Sequence, residues 1–182
     1  SGSECHPANI RMFDVATGNL DWNYNVGTSF MCIQGVKFSS NGIYIASVEE
    51  LGNILIFNNL GAVPSISDTI DTGTSYAFSV DFSPTNDKIV VGCSNGKLKT
   101  YNLPGGAPAV SITAHSGYVY SANYSPDGTM IATAGRDKKV KIWSATGLLL
   151  FTCTGHGDEV TSVKFTPDNA FLVSGSLDGV VK

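Results

Sequence analysis

Short apolar stretches alternate with turn signals along the whole chain. The stretches "YVYSANYS", "TMIATAG" and "KVKIWS", between residues 118 and 144, are rich in β-branched and aromatic residues, which favours strands. Asn-Gly and Asp-Gly pairs at 41–42, 95–96, 127–128 and 178–179 fall between such stretches, and these pairs readily adopt the positive φ of tight hairpins. No segment has the period of an amphipathic helix. The pattern therefore predicts an all-β protein.

The pattern also repeats. "VKFSSNG", "VDFSPTN", "ANYSPDG" and "VKFTPDN" begin at residues 36, 80, 122 and 163, and their aromatic residues lie 44, 42 and 41 positions apart. Each period holds three strand patterns, and "LLLFTCT" supplies a fourth in the best-defined period. Four antiparallel strands in about 40 residues are typical of a propeller blade, which buries both faces only against its neighbours.

The predicted fold class is therefore an all-β β-propeller of four-stranded antiparallel blades, with about four blades present as a partial or ring-completing set. We expect one propeller region over residues 1–182, divided at approximately 1–25 (partial blade), 26–68, 69–112, 113–154 and 155–182 (partial blade). We expect a fragment of a longer propeller. The alternatives are two copies that form an eight-bladed ring and a single four-bladed ring.

Residues 114–144, "AHSGYVYSANYSPDGTMIATAGRDKKVKIWS", carry a family resemblance. An Ala-His pair, a Ser-Pro-Asp turn, a Thr with an Asp four residues later, and an Ile-Trp pair occur together at this spacing. The next repeat, "GHGDEVTSVKFTPDNAFLVSGSLDGVVK", matches as far as it runs. The chain resembles the WD-repeat family of β-propellers over essentially its whole length.

The resemblance implies a structural tetrad of hydrogen-bonded side chains. In the best-matching repeat its members are His115, Thr133, Asp137 and Trp143, and in the next repeat they are His156, Ser174 and Asp178. A hydroxyl, an imidazole and a carboxylate are also the parts of a catalytic triad. Both copies have a His-to-hydroxyl spacing of 18 and a hydroxyl-to-Asp spacing of 4, and one enzyme seldom needs the same triad twice. We therefore predict a structural role and no catalytic residues.

The two earlier repeats depart from this motif. The hydroxyl, acid and indole positions hold Val91, Asn95 and Tyr101 in one, while Leu51 and Phe57 replace the acid and the indole in the other. Neither repeat has the histidine. We expect apolar packing to hold these blades together.

The resemblance also places candidate partner-binding residues on one face near the central channel. They are Tyr76, Tyr118, Arg136, Glu159, Glu50, Ser94 and Leu177. Tyr and Arg are enriched in the hot spots of interfaces, so the predicted function is a protein–protein interaction scaffold that binds protein or peptide partners within a larger complex. An alternative is a reader of modified peptides, in which Tyr76, Tyr118, Glu50 and Glu159 frame a basic side chain.

Composition argues against other classes. Net charge is −4, and the one basic cluster (Arg136, Lys138, Lys139 and Lys141) is interpreted as a solvated turn and strand edge, so we expect no nucleic-acid partner. The four cysteines form no metal-binding pattern, and free buried thiols are the simpler interpretation; the pair Cys5-His6 is too small a ligand set for a metal. No cofactor motif or membrane span is found, and we predict a non-enzyme, without metal, in the cell interior and in the cytoplasm.

Overall fold

The computed structural model describes residues 9–25, 32–60 and 64–182, which form sixteen β-strands and no helix. The strands make five antiparallel sheets in chain order. The first sheet holds β1 (Asn9–Phe13) and β2 (Leu20–Asn25). The second holds β3 (Ile33–Phe38), β4 (Tyr44–Glu49), β5 (Asn53–Asn58) and β6 (Ser65–Asp71).

The third sheet holds β7 (Ala77–Phe82), β8 (Lys88–Cys93), β9 (Lys97–Asn102) and β10 (Ala107–Thr113). The fourth holds β11 (Val119–Tyr124), β12 (Met130–Gly135), β13 (Val140–Ser144) and β14 (Leu149–Cys153). The fifth holds β15 (Val160–Phe165) and β16 (Leu172–Ser176). Each strand pairs with the next one in sequence, which is the connectivity of a meander.

The first strands of successive sheets pack against one another. Strand β3 contacts β7, β7 contacts β11, and β11 contacts β15, so these inner strands surround a common axis. Sheets packed face to face around an axis are the blades of a β-propeller. The predicted all-β class and the four-stranded antiparallel blades are confirmed.

The hydrophobic core lies between blades. One cluster joins Val48, Ile54 and Ile56 of the second sheet to Ile89 and Val91 of the third. Further clusters fill the other junctions between neighbouring sheets. Middle strands such as β8 and β12 are thus covered on both faces, which explains their nearly continuous apolar sequences.

Every inner hairpin has a bulge at the same position. The register between the first and second strands shifts between Ile33 and Gly35, and the equivalent shift occurs in the other three inner hairpins. The residue that the bulge leaves unpaired is Phe78 in the third sheet and Tyr120 in the fourth. A bulge re-aims side chains near it, which matters for the site described below.

The cysteines depart in part from expectation. Cys93 is free and buried, and Cys153 is free but exposed. Cys32 is disulfide-bonded, so the expectation of free thiols is wrong for this residue. Which cysteines meet is decided by the tertiary fold, because their spacing in sequence carries no pairing signal. Cys5 and His6 lie outside the described residues. Within the described ranges, no helix has the length and apolarity needed to cross a membrane.

Candidate functional site

The four tetrad residues of the fourth sheet lie in one hydrogen-bonded chain. His115 precedes β11, Thr133 lies on β12, Asp137 lies in the turn after β12, and Trp143 lies on β13. His115 Nδ1 lies 2.7 Å from Asp137 Oδ1, and His115 Nε2 lies 2.8 Å from Thr133 Oγ1. The indole Nε1 of Trp143 donates to Thr133 Oγ1 at 2.9 Å. The network thus ties the entry loop of the blade to its second and third strands and to the turn between them.

The hydrogen bonds of this network fit a neutral imidazole. Thr133 Oγ1 accepts the indole N–H, and its single proton can be donated to His115 Nε2 at 2.8 Å, a shorter contact than the 3.5 Å to the carbonyl oxygen of Lys141. The other ring nitrogen, Nδ1, then carries its proton toward the Asp137 carboxylate. Burial lowers the pKa of His115, and the hydrogen bond and charge of Asp137 only partly offset that effect. The geometry and the electrostatics therefore favour the same neutral tautomer.

The ring of His115 occupies the space above a glycine. A Cβ atom built on Gly135 would lie 2.4 Å from His115 Cγ, far inside van der Waals contact. In the fourth sheet the histidine ring thus occupies the space that a side chain at position 135 would need, whereas the fifth sheet has Ser176 at the equivalent position. In the third sheet the equivalent positions hold Gly73 and the fully buried Cys93.

The second copy, between the fifth sheet and its entry loop, has the same geometry. His156 Nε2 lies 2.9 Å from Ser174 Oγ, and His156 Nδ1 lies 3.0 Å from Asp178 Oδ2. The backbone N–H of Gly157 donates to Asp178 at 2.6 Å and is the largest cause of the lowered pKa of that carboxyl.

The tetrad hydroxyl of the fourth sheet is a poor nucleophile because it is enclosed. Thr133 has no exposed surface, and its oxygen is engaged by both His115 and Trp143. A catalytic hydroxyl must reach a substrate, and this one cannot. In the fourth sheet the network links the entry loop to the strands, and its hydroxyl is out of reach of a substrate.

The second sheet keeps only part of the tetrad. Ser47 stands at the position of Thr133, and its hydroxyl is buried without a hydrogen-bond partner among the described residues. Phe57, at the indole position, is fully buried against Trp22 and Tyr24. Apolar and aromatic contacts surround the orphaned hydroxyl.

A lysine repeats in three blades and was not recognised as a motif in the sequence. Lys99, Lys141 and Lys182 donate to the backbone carbonyls of Thr72, Ala114 and Gly155, respectively, with a distance of 2.7 Å in the last case. Each lysine lies two residues before the tetrad's indole position and fixes the entry loop of its own blade. The signal was the recurrence of Lys at this phase of the repeat.

The basic cluster is therefore only partly the solvated edge that we predicted. Lys141 Nζ binds the entry loop and lies 5.7 Å from the ring centroid of Trp143. Arg136 Nε lies 3.0 Å from Glu159 Oε1, and Lys138 Nζ donates to the carbonyl of Gly157 at 2.7 Å. Lys141 thus binds within its own blade, while the half-exposed Arg136 and Lys138 reach across to the next blade.

The predicted partner-binding residues meet in equivalent pairs at one end of the propeller, which we call the entry face because the inner strands begin there. The backbone N–H of Ser94 donates to the carbonyl of Tyr76 at 3.0 Å. The same bond, at 2.9 Å, joins Arg136 to Tyr118, Leu177 to Glu159 and Glu50 to Cys32. The structure thus brings each predicted turn residue beside its predicted strand-entry residue.

Two further aromatic residues join Tyr76 and Tyr118, and sequence reasoning missed both. Phe78 stacks on Tyr76 with ring centroids 6.2 Å apart and lies 5.3 Å from the ring of Tyr118. Tyr120 lies 5.4 Å from Phe78 and 5.8 Å from Tyr118. We call these four residues the aromatic patch; it spans two blades. The sequence signal for these two residues was the spacing Tyr-x-Phe and Tyr-x-Tyr, since alternate residues of a strand share a face. The bulge at Phe78 and Tyr120, which changes the direction of their side chains, could not be predicted from the sequence.

An ion pair borders the aromatic patch on the next blade. The guanidinium carbon of Arg136 lies 5.1 Å from the ring centroid of Tyr118, and the same side chain pairs with Glu159. The hydroxyl of Tyr120 donates to Glu159 Oε2 at 2.5 Å. Burial, followed by this hydrogen bond, raises the pKa of Tyr120 to about 12. Both carboxylate oxygens of Glu159 are therefore engaged within the chain.

The other candidates lie outside the aromatic patch. Glu50 accepts a hydrogen bond from the backbone N–H of Cys32 at 3.3 Å, one blade before the patch. Leu177 is exposed on the opposite side of the Arg136–Glu159 pair. Ser94 Oγ accepts from the N–H of Tyr76 at 3.2 Å and supports the patch from beneath.

A shallow depression of about 560 Å³ adjoins the patch. Tyr76 and Tyr118 form one side, and the remaining lining residues are small and polar. Those residues are Asp71, Gly73, Thr74, Ser75, Ser94 and Asn95. Within the described ranges, no group of three His, Cys, Asp or Glu side chains is arranged to hold a metal ion.

Comparison with known proteins defines the class. The family model of the WD domain, G-beta repeat, matches residues 106–144 and 147–182. The chain is a WD-repeat protein with the fold of a β-propeller.

Particular relatives share the repeats. The chain is 35% identical over 108 residues to "Periodic tryptophan protein 2 homolog" of Caenorhabditis elegans, a match that covers 57% of the chain and 12% of that protein. It is 32% identical over 163 residues to human "WD repeat-containing protein 3", covering 82% of the chain and 17% of that protein. The chain thus spans less than a fifth of the length of these relatives.

A solved structure shares the fold. A chain of the "Crystal Structure of Mitotic Checkpoint Complex" superposes with a TM-score of 0.84 at 19% sequence identity, covering 92% of this chain and 53% of that one. At this identity the likeness concerns the fold alone.

Proposed function

We propose that the chain is a non-catalytic protein–protein interaction scaffold whose entry face binds protein or peptide partners within a larger complex. The observation that carries this proposal is the aromatic patch with its bordering Arg136–Glu159 pair. Tyr76 and Tyr118 remain 39% and 36% exposed although they pack against other rings. Exposed aromatic clusters beside charged residues are typical of binding surfaces.

The rigidity of the patch favours binding. Its rings stand on β7 and β11 and on the residues just before them, and backbone hydrogen bonds fix Tyr76 and Tyr118 to the neighbouring turns. Side chains that are already ordered lose little conformational entropy when a partner docks. Tyr and Arg are also the types that most often dominate binding energy.

The depression beside the patch suggests how a partner peptide is read. Aromatic walls on one side suit an apolar or aliphatic segment, while the Asp71 carboxylate and the hydroxyls on the other side suit hydrogen-bond donors. We propose that an extended peptide crosses the patch and places one long side chain with a donor end, such as Lys or Arg, in the depression.

The modified-peptide reader is not proposed in its original form. It needs Tyr118 and Glu159 to receive a basic side chain from a partner, yet Arg136 of the chain itself lies over Tyr118 and pairs with Glu159. The guanidinium of Arg136 therefore already occupies the place that the basic side chain of a partner would take. The scaffold that we propose has no catalytic activity, no cofactor and no nucleic-acid partner, and it lies inside the cell. Its location in the cytoplasm stays a prediction.

Selection from a random peptide library tests the proposal. Peptides selected on the wild-type chain should bind the double variant Tyr118→Ala with Arg136→Ala at least about tenfold more weakly, because each hot-spot residue contributes upward of 1–2 kcal/mol. Circular dichroism and thermal melting establish that the variant keeps its fold.

A matched control separates the patch from nonspecific loss. Val15→Ala alters a fully exposed residue in the turn between β1 and β2, and it should leave peptide binding unchanged. Equal binding of the selected peptides to the double variant and to the wild type would remove the aromatic patch from the proposed function. Preferential binding of single-stranded RNA at physiological salt, in place of peptides, would replace the scaffold by a nucleic-acid function.

A further inference from the structure

A second cavity lies at the end of the inner strands that is opposite to the aromatic patch. Its volume is about 370 Å³, and it opens where β3, β7, β11 and β15 end. Along β7, Phe78 of the patch precedes Asp81 of the cavity by three residues, which is about 10 Å at a rise of about 3.3 Å per residue. The apolar walls come from Phe38, Phe82, Pro84, Pro126 and Phe165.

Three charged side chains converge in this cavity from the inner strands of three blades. Lys37 Nζ lies 3.1 Å from Asp81 Oδ1. The other oxygen, Asp81 Oδ2, accepts the backbone N–H of Tyr124 at 3.1 Å. Both oxygens of Asp81 thus contact groups of the protein itself. The residue is only 8% exposed.

Lys164 is the third charged group and brings a second positive charge to the same cavity. Burial, and then the positive charge of Lys37, lowers the pKa of Lys164, and Asp81 offsets this only in part. Asp81 interacts mainly with Lys37. Burial lowers the pKa of Lys37, but the charge and hydrogen bond of Asp81 outweigh burial and raise it. No ion pair with Lys164 is formed among the described residues.

The cavity thus holds two facing ammonium groups and a single carboxylate, a net charge of +1 within largely apolar walls. Two like charges held together in a partly desolvated space repel each other strongly, and a bound anion removes that repulsion. Each ammonium has three N–H donors, and Lys37 uses only part of its set on Asp81.

We propose that Lys37 and Lys164 bind an oxyanion, a phosphate or carboxylate group, at this end of the propeller channel. The ammonium of Lys164 is the main donor, Lys37 is shared between the oxyanion and Asp81, and the aromatic and proline side chains border the pair on its apolar side. The oxyanion is either a free anion or the acidic side chain of a partner protein, and the two sources share this chemistry.

Lysine NMR tests the site directly. The ε-methylene signals of 13C-labelled lysines are followed while inorganic phosphate is added, against sodium chloride of equal ionic strength. We expect a saturable shift of Lys164 and a rise in its pKa with phosphate, and neither effect with chloride. A second arm uses a blocked tri-aspartate peptide; tighter binding of the peptide than of phosphate assigns the site to an acidic partner segment, and the reverse assigns it to a free anion.

Variants make the test decisive. Lys164→Gln should weaken binding of the preferred probe at least tenfold, whereas Lys164→Arg, which keeps the charge, should retain it. Lys97→Gln is the matched control, because Lys97 begins β9 and does not line the cavity. Absence of a saturable shift with both probes, or equal binding to the folded Lys164→Gln variant, overturns the proposal. The peptide selection on the aromatic patch is independent of either outcome.

Discussion

The third and fourth sheets have the same topology but fix their entry loops in opposite ways. In the fourth sheet, the loop supplies the bulky His115 and the strand supplies Gly135, which leaves room for the ring. In the third sheet, the loop supplies Gly73 and the strand supplies Cys93, which is fully buried beside Thr74. The loop thus carries the large side chain in the fourth sheet, and the strand carries the buried side chain in the third.

The two solutions differ in what a mutation costs. The tetrad is a chain of buried polar groups in which each member satisfies the next, so the loss of one leaves others unpaired. The third sheet has Val91 at the hydroxyl position and Tyr101 at the indole position, both inside an apolar cluster. Val91 and Tyr101 are not hydrogen-bonded to each other as the tetrad residues are. Truncating Val91 therefore leaves a cavity but no unpaired donor.

The largest effect is expected when the central hydroxyl is removed. Thr133→Val keeps the side-chain shape but leaves both Trp143 Nε1 and His115 Nε2 without partners in a buried site. We expect a loss of about 3 kcal/mol in the free energy of unfolding, measured by chemical denaturation. The mirror change, Val91→Thr in the third sheet, buries a new unpaired hydroxyl and should cost about 1–3 kcal/mol. A Thr133→Val variant as stable as the wild type would show that the network is dispensable.

A smaller loss is expected for the carboxylate at the end of the network. Asp137→Ala leaves the Nδ1–H of the buried His115 unpaired, and we expect a cost of about 2 kcal/mol and a lower melting temperature. Asn95 occupies the equivalent turn in the third sheet, where its side chain accepts only the nearby N–H of Lys97 at 3.2 Å. Asn95→Ala should therefore cost less than about 1 kcal/mol. Equal costs for the two variants would contradict the contrast between the blades.

The pH dependence of stability sharpens the contrast further. The pKa of His115 is lowered in the folded chain, so the unfolded chain binds a proton first as the pH falls below its own value of about 6.5. The contribution of His115 to stability is therefore full above that pH and decreases over the pH range just below it. His115→Gln should have a flatter melting-temperature curve in this window. Subtracting the two curves cancels the contribution of Glu49, whose pKa burial raises. Parallel curves would show that His115 does not carry the effect.

The smallest effect is expected in the second sheet, where the tetrad is vestigial. The Ser47 hydroxyl has no hydrogen-bond partner in the part of the chain that the structure describes, so Ser47→Ala removes a buried polar group that forms no hydrogen bond there. We expect unchanged stability or a gain of up to about 1 kcal/mol by chemical denaturation. A loss of more than that would mean that the hydroxyl has a partner in solution.

The sequence determined the blades. The period near 40 residues, the turn pairs and the apolar stretches predicted the strands of the best-defined blade, β11, β12 and β13, because strand patterning is a local consequence of residue type. The resemblance to WD repeats implied the His, hydroxyl and Asp sets of the fourth and fifth sheets, and their equal spacing in both repeats fits equivalent surroundings in stacked repeats.

Only the tertiary structure decided which residues meet across blades. The joining of Phe78 and Tyr120 to the patch depends on a bulge, and the meeting of Arg136 with Glu159 and of Lys37 with Lys164 depends on the angle between neighbouring sheets. The disulfide of Cys32 is of the same kind. Contacts within a repeat follow from its period, whereas contacts between repeats depend on a geometry that no single repeat encodes.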